Sequence, residues 1–194
     1  MRSLINILSK NPENAECKTR LKSLLSKDER TLLSMKMLSM ICSEVSNMNV
    51  GKYLHLYPNN KGDFIRKLSR KYMLETYEQK EGYLSHKIYS VLNMDKRTYT
   101  NRIVTGSDIP SLSRFEFVEC IKYLNTYDLV LGPSKDGGFY LVGVRNNVHN
   151  IFKNMELNNI STKNILDICA NKKISYKLLR VLKDIDTPKD LLNL

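Results

Sequence analysis

Short runs rich in β-branched and aromatic residues alternate with longer segments whose apolar side chains recur at three-four spacing. This alternation restricts the fold more than any other feature of the chain. The strand-like runs lie at 4–8, 52–57, 72–77, 102–105, 129–132, 139–144 and 175–181. Helical patterns occupy 61–70, 82–93, 113–125, 161–171 and 187–193. The clearest helix begins with SKDE at 26–29, where Ser26 and Glu29 have capping-box spacing, and continues as LLSMKMLSMICSEV. Its Met35, Met37, Met40 and Met48 read as core filler. Strands and helices in this order form a mostly parallel sheet covered by helices on both faces. The 194 residues fit a single α/β domain, 1–194, able to bury roughly two thirds of its unfolded surface.

In such sheets ligands collect beyond the carboxyl ends of the strands, so the loops after strands carry the informative residues. The first such loop, KNPENAECKTRL at 10–21, offers Lys10, Lys18 and Arg20. Cations there suit nucleotide phosphates, and an exposed charged connection fits the same residues equally well. GxxxxGK[ST] and GxGxxG are both absent, which excludes a P-loop and a dinucleotide fingerprint. The strand RIVT runs into GSDIPSLS at 106–113, where Asp108 can either hold a divalent cation or start the turn by bonding its own backbone.

The segment YDLVLGPSKDGGFYLVGV, 127–144, places Asp136, Gly137 and Gly138 between two apolar runs in a chain with 8 glycines. Asp-Gly between such runs signals a hairpin. The link is longer than a two-residue turn needs, so the glycines also suit close approach to a sugar or phosphate, with Asp136 gripping hydroxyls or acting as a general base. Near the end, DIDTPKDL at 184–191 starts a helix at Thr187-Pro188. Asp184 and Asp186 can cap that helix or jointly hold a cation.

Net charge is +11, from 31 Lys+Arg against 20 Asp+Glu, so anions are attracted. The basic residues are scattered, and the local run RKLSRK at 66–71 reads as the solvated face of a helix. Aromatics do not interleave with them as stacking platforms would, so no specific nucleic-acid partner is expected. A non-catalytic polyanion-binding module remains a separate class of function. Four cysteines without a CxxC pair read as reduced thiols of a cytoplasmic protein. His55, His86 and His149 show no pairing with one another or with a cysteine nucleophile and read as surface or core residues. No apolar run is long enough to span a membrane, which leaves peripheral membrane contact open. Nothing in the sequence sets an oligomeric state.

Taken in order, P-x(5)-KTRL at 12–21, G-x-L at 82–84, GSDIP at 106–110, LGPSKDGGFYLVG at 131–143 and DIDTPKDL at 184–191 resemble a bacterial GT-A-type glycosyltransferase-like family. That family was long catalogued as a domain of unknown function, and some members are assigned to arsenosugar biosynthesis. The resemblance implies a Rossmann-like nucleotide-diphospho-sugar transferase fold. It implies a metal-dependent glycosyltransferase that uses a nucleotide-sugar donor on a small-molecule acceptor, with Mg²⁺ or Mn²⁺ as cofactor. Nucleotidylyl transfer to a phosphorylated small molecule is the alternative in the same superfamily. By the resemblance Lys10, Lys18, Arg20 and Gly82 face the nucleotide, Asp108 and Asp186 hold the metal, and Asp136, Gly137 and Gly138 line the sugar or acceptor pocket. The chain departs from the family pattern at Ala15, where a glycine is usual, and at GYLSHKI, 82–88, where GDLGERM is usual and Lys87 replaces an arginine.

Overall fold

The computed structural model describes residues 2–146, 148–153, 155 and 160–191. Within them the β-branched runs become β1 (Ser3–Lys10), β2 (Gly51–Tyr57), β3 (Glu75–Glu78), β4 (Asn101–Thr105), β5 (Leu129–Pro133), β6 (Phe139–Arg145) and β7 (Tyr176–Leu178). They form one 7-stranded sheet in the order β3-β2-β1-β4-β6-β5-β7. β1 pairs in parallel with β2 and β4, β2 with β3, and β5 with β7. β6 alone among these runs antiparallel, against both β4 and β5.

Period-two alternation sends successive strand side chains to opposite faces. On β5, Val130 joins one core cluster while Leu129 and Leu131 join the other. The helices α1 (Lys27–Ser46), α2 (Asp63–Tyr72) and α4 (Arg114–Tyr123) cover the first face. Leu38, Cys42 and Val45 of α1, Ile65 and Leu68 of α2, and Phe117 and Cys120 of α4 pack there on Ile5, Ile7, Leu54 and Leu56. On the second face α3 (Leu84–Leu92) and α5 (Thr162–Asn171) press Ile88, Leu92, Ile165 and Cys169 against Leu129, Leu131, Val142 and Val144. The chain is thus an α/β fold with helices on both faces of a mostly parallel sheet. Among the described residues no helix is long and apolar enough to cross a membrane.

Local signals account for most helix starts. Ser26 and Ser113 each accept from the backbone and close reciprocal capping boxes with Glu29 and Glu116. Ser161 accepts from the Asn164 amide at the start of α5. The expected strand at 72–77 begins later, because α2 continues through Tyr72 and ends on the left-handed Met73, with Arg70 and Lys71 favourably placed in its last turn. The expected strand at 175–181 shortens to Tyr176–Leu178, beyond which an isolated bridge pairs Ser134 with Leu182. The terminal helix α6 is Pro188–Leu191, and the rest of the expected 187–193 segment lies outside the described residues. Met37 and Met48 are core residues, whereas Met40 is exposed on the outer side of α1. The RKLSRK run does form a solvated face, with Arg66, Lys67, Arg70 and Lys71 exposed.

Two of the three histidines are buried. His55 contacts Asn6 Oδ1 at 2.9 Å through Nε2, and burial pushes its pKa down to about 4. His149 is also pushed down by burial, while His86 is exposed. A histidine whose folded pKa is depressed stabilises the fold above its unfolded value and loses that contribution as pH falls through the folded value. Unfolding free energy should therefore decline from pH 6.5 toward pH 4, with His55 responsible for at most about 3 kcal/mol. Urea denaturation at both pH values checks this, and His55→Gln should flatten the decline.

Candidate active site

After β3 the chain crosses β1 to lay down β4 on the other side, so the sheet reverses its direction of growth between β1 and β4. Loops leaving the carboxyl ends of such neighbours diverge and open a crevice between them. A cavity of about 450 Å³ lies there. Lys10, Cys17, Lys18 and Arg20 line it from the loop after β1, and Gly106, Ser107 and Asp108 from the loop after β4. Tyr57, Gln79, Leu84 and Lys87 form the opposite wall, and Asp186 enters from the C-terminal segment.

Lys18 is the centre of this arrangement. Its backbone is left-handed, with φ 48°, immediately before a single 3-10 turn at Thr19–Leu21. Its side chain is only 6% exposed, and Nζ lies 3.1 Å from Asp108 Oδ2 and 3.2 Å from Asp186 Oδ1. Nζ also donates to the Ile185 carbonyl at 2.6 Å. The second oxygen of Asp186 accepts from Arg20 at 3.0 Å. The two aspartates expected to hold a cation therefore converge on one ammonium group. Lys10 donates across the loop to the Glu16 carbonyl at 3.1 Å.

The segments carrying these groups are packed, not simply charged. Leu21, Met37 and Ile185 make a small apolar cluster that joins the loop after β1, α1 and the C-terminal segment. The Ile185 amide donates to the Asp108 carbonyl at 3.1 Å. Arg30, buried at the start of α1, donates to the carbonyls of Cys17 and Leu25 and to Glu16. Asp190, not Asp184 or Asp186, caps the terminal helix, accepting from Asp186 N at 3.1 Å, Thr187 N at 2.6 Å and Thr187 Oγ1 at 2.7 Å. Thr187-x-x-Asp190 has capping-box spacing, so this signal was present in the sequence. With Asp190 in that role, the Asp186 carboxylate turns to Lys18 and Arg20. Asp184 is instead raised in pKa, by burial and by Asp136.

On the opposite wall Gln79 donates to the carbonyls of Ser9 and His55, tying together the ends of β1 and β2. Lys87 holds its ammonium 4.7 Å from the centre of the Tyr57 ring, and burial with nearby Lys10 lowers its pKa. Gly82 does not line the cavity. It sits at φ +122° just before α3, whose Leu84 and Lys87 do line it. Tyr57 and Gln79 were not expected at the site, because nothing in their local sequence marks them, and Leu84 belongs to the G-x-L motif of which only Gly82 was expected to face the nucleotide. Lys87 was noticed only as a departure from the family pattern.

Asp136, Gly137 and Gly138 form the β5–β6 hairpin turn and are not among the cavity-lining residues. Asp136 Oδ1 accepts from Ser134 Oγ at 2.5 Å and from the Gly138 amide at 2.9 Å. Gly137 adopts φ +89°, and a Cβ on Gly138 would meet Ser134 Oγ and Asp136 Oδ1 at 3.1 Å. The turn also anchors α5, since Thr162 N donates to the Gly137 carbonyl at 3.0 Å. The Ser134 hydroxyl, and more weakly the Gly138 amide and Arg20, hold the Asp136 carboxyl below its usual range. A carboxylate held so low is a poor general base near neutrality.

Comparison with known proteins fits this geometry. The model of a family described as "Uncharacterized protein conserved in bacteria (DUF2064)" matches residues 43–159. The chain belongs to this family. The match includes Asp108 and the Asp136 hairpin, whereas Lys10, Lys18, Arg20 and Asp186 lie beyond it. The chain is 25% identical over 191 residues to a 2-phospho-L-lactate guanylyltransferase of Methanocaldococcus vulcanius, covering 97% of this chain and 82% of the relative. A candidate nucleotide-diphospho-sugar transferase of Desulfovibrio desulfuricans superposes with a TM-score of 0.87 at 21% identity, covering 98% of this chain and 85% of that one. The 4-diphosphocytidyl-2C-methyl-D-erythritol synthase of Anaerococcus prevotii gives 0.67 at 10% identity over 98% and 94% of the two chains. A Mycobacterium tuberculosis protein solved with manganese gives 0.60 at 12% over 100% and 98%. These likenesses establish the nucleotide-diphospho-sugar transferase fold for this DUF2064 member.

The aspartates fit a hard divalent cation. Among the described residues no group of three or more His, Cys, Asp or Glu gathers to enclose a metal. Mg²⁺ and Mn²⁺ at phosphate-handling sites are commonly held by one or two carboxylates, with phosphate oxygens and water completing the shell. Asp108 and Asp186 are two carboxylates of that kind, and here both face the Lys18 ammonium. Because Ile185 seats the second aspartate, Ile185→Ala should lower unfolding free energy by about 2–4 kcal/mol in urea denaturation. It should also speed hydrogen exchange at the Asp186 and Thr187 amides.

Proposed function

We propose that this protein is a cation-assisted nucleotidylyltransferase that joins a nucleoside monophosphate to a phosphorylated small molecule and releases pyrophosphate. The observation that carries this reading is the convergence of Asp108 and Asp186 beside four cavity-lining cations, Lys10, Lys18, Arg20 and Lys87. The likeness to a guanylyltransferase over 97% of this chain supports it. Asp108 and Asp186 would hold Mg²⁺ or Mn²⁺, which would supply charge neutralisation and orientation of phosphate oxygens.

In this reaction an acceptor phosphate oxygen attacks the α-phosphorus, the α–β P–O bond breaks, and pyrophosphate leaves with the bonding electrons. The acceptor phosphate is largely ionised at neutral pH, so no strong general base is required. The cavity composition agrees with that requirement. Its described lining contains no histidine, its carboxylates are Asp108 and Asp186, and burial raises the Cys17 thiol pKa. Lys10, Lys18 and Arg20 would neutralise the triphosphate, and Lys18 would stabilise charge that develops on the leaving group. Asp136 acts through structure, closing the hairpin whose Gly137 carbonyl accepts from the Thr162 amide at the start of α5.

Glycosyl transfer from a nucleotide sugar is the second reading. It uses the same cation and phosphate contacts, and the overall likeness to the Desulfovibrio desulfuricans protein favours it. Incubation with nucleoside triphosphates and a panel of phosphorylated small molecules should release pyrophosphate, and Asp108→Asn should slow release by about a hundredfold or more. Nucleoside diphosphate released from nucleotide sugars, without pyrophosphate formation, would select the second reading. Salt-sensitive polyanion binding with neither activity would select a non-catalytic module.

A further inference from the structure

Lys18 occupies the position between the two aspartates that a divalent cation would need. Three observations make this a built arrangement. Its ammonium contacts Asp108, Asp186 and the Ile185 carbonyl. Its side chain is 6% exposed, far less than either aspartate. Its anchor points are fixed by the Leu21–Met37–Ile185 cluster on one side and the Ile185 N to Asp108 O bond on the other.

Two carboxylates brought to one locus repel unless a cation lies between them. The tethered ammonium supplies that cation, so the aspartates are held converged before any ligand arrives. The same placement creates competition, because Lys18 and a divalent cation cannot both use the facing oxygens Asp108 Oδ2 and Asp186 Oδ1. A displaced ammonium needs a new anion. The triphosphate expected in the same cavity offers one, beside Lys10 and Arg20.

We infer that Lys18 is an internal counter-ion for the Asp108–Asp186 pair, one that weakens metal binding in the absence of nucleotide and passes to the phosphates when nucleotide and metal enter together. This rests on the cation position proposed above. Lys18 then acts first as a positioning residue and later as a phosphate ligand. Metal affinity and nucleotide affinity are coupled, and such coupling is reciprocal.

The test is direct binding of Mn²⁺ alone, followed by the electron paramagnetic resonance signal of free Mn²⁺, with no nucleotide and no turnover. Wild-type protein should bind weakly. Lys18→Met, which keeps the apolar stem and removes the charge, should bind about tenfold more tightly. Lys18→Arg should behave as wild type, and adding Asp108→Asn to Lys18→Met should abolish the gain. If circular dichroism shows that Lys18→Met does not fold, Lys18→Gln makes the same comparison while retaining a hydrogen-bond donor toward Ile185 O. Equal dissociation constants for wild type and the neutral variant, or weaker binding by the variant, would overturn the counter-ion role and leave the cation position standing. No Mn²⁺ binding by any variant would overturn both.

Discussion

The buried ammonium of Lys18 sets the terms for the functional end of the molecule. A charge taken out of water needs compensating partners close by, and here three come from chain segments remote in sequence. Asp108 arrives from the loop after β4, and Asp186 and the Ile185 carbonyl arrive from the C-terminal segment. The loop after β1, the loop after β4 and the tail are thereby drawn to one point at the carboxyl ends of β1 and β4. Leu21, Met37 and Ile185 add an apolar contact under that point, so packing and electrostatics hold the same geometry. Thr187 and Asp190 satisfy the start of α6 between themselves, which leaves Asp186 to face Lys18 and Arg20.

The reversed strand β6 gives the other half of the sheet its character. A hairpin with β5 requires the chain to turn within a few residues, and GPSKDGG supplies that turn from its own side chains. Gly137 takes a positive φ, Gly138 leaves room for the Asp136 carboxylate, and Ser134 and Asp136 bond across the turn. Gly132 is needed for a separate reason, because a Cβ there would fall 2.4 Å from the Tyr140 ring. A motif that reads as a pocket wall in one dimension thus has a complete structural account in three. Asp136, Gly137 and Gly138 close that turn and are not among the cavity-lining residues.

Charge distribution connects the fold to the proposed chemistry. The chain carries +11, yet its cavity joins cations to two acids instead of presenting a uniformly basic surface. A groove for polyanions needs no such acids, whereas a phosphate site that works with a divalent cation does. On the far wall, Lys87 over Tyr57 sets a positive group and an aromatic face away from the aspartates.

Much of the architecture was legible in the sequence because it rests on local physics. β-Branched and aromatic runs gave strands, SKDE gave a capped helix, and strand–helix alternation gave a mostly parallel sheet. Element limits were less legible at 72–77 and 175–181, where β propensity continues past the residues that find a neighbouring strand. Lys10, Lys18, Arg20, Asp108 and Asp186 could be named because each follows a strand or precedes a helix start. Tyr57, Gln79, Leu84 and Lys87 could not, since their place at the cavity depends on where β2, β3 and α3 come to lie. The sequence by itself determined which elements form and which charged groups their ends carry, because hydrogen-bonding periodicity and capping act over a few residues. Only the tertiary structure decided that Lys18 stands between Asp108 and Asp186 while Asp136 closes a turn, because charges so far apart along the chain meet only after strand order and packing are set.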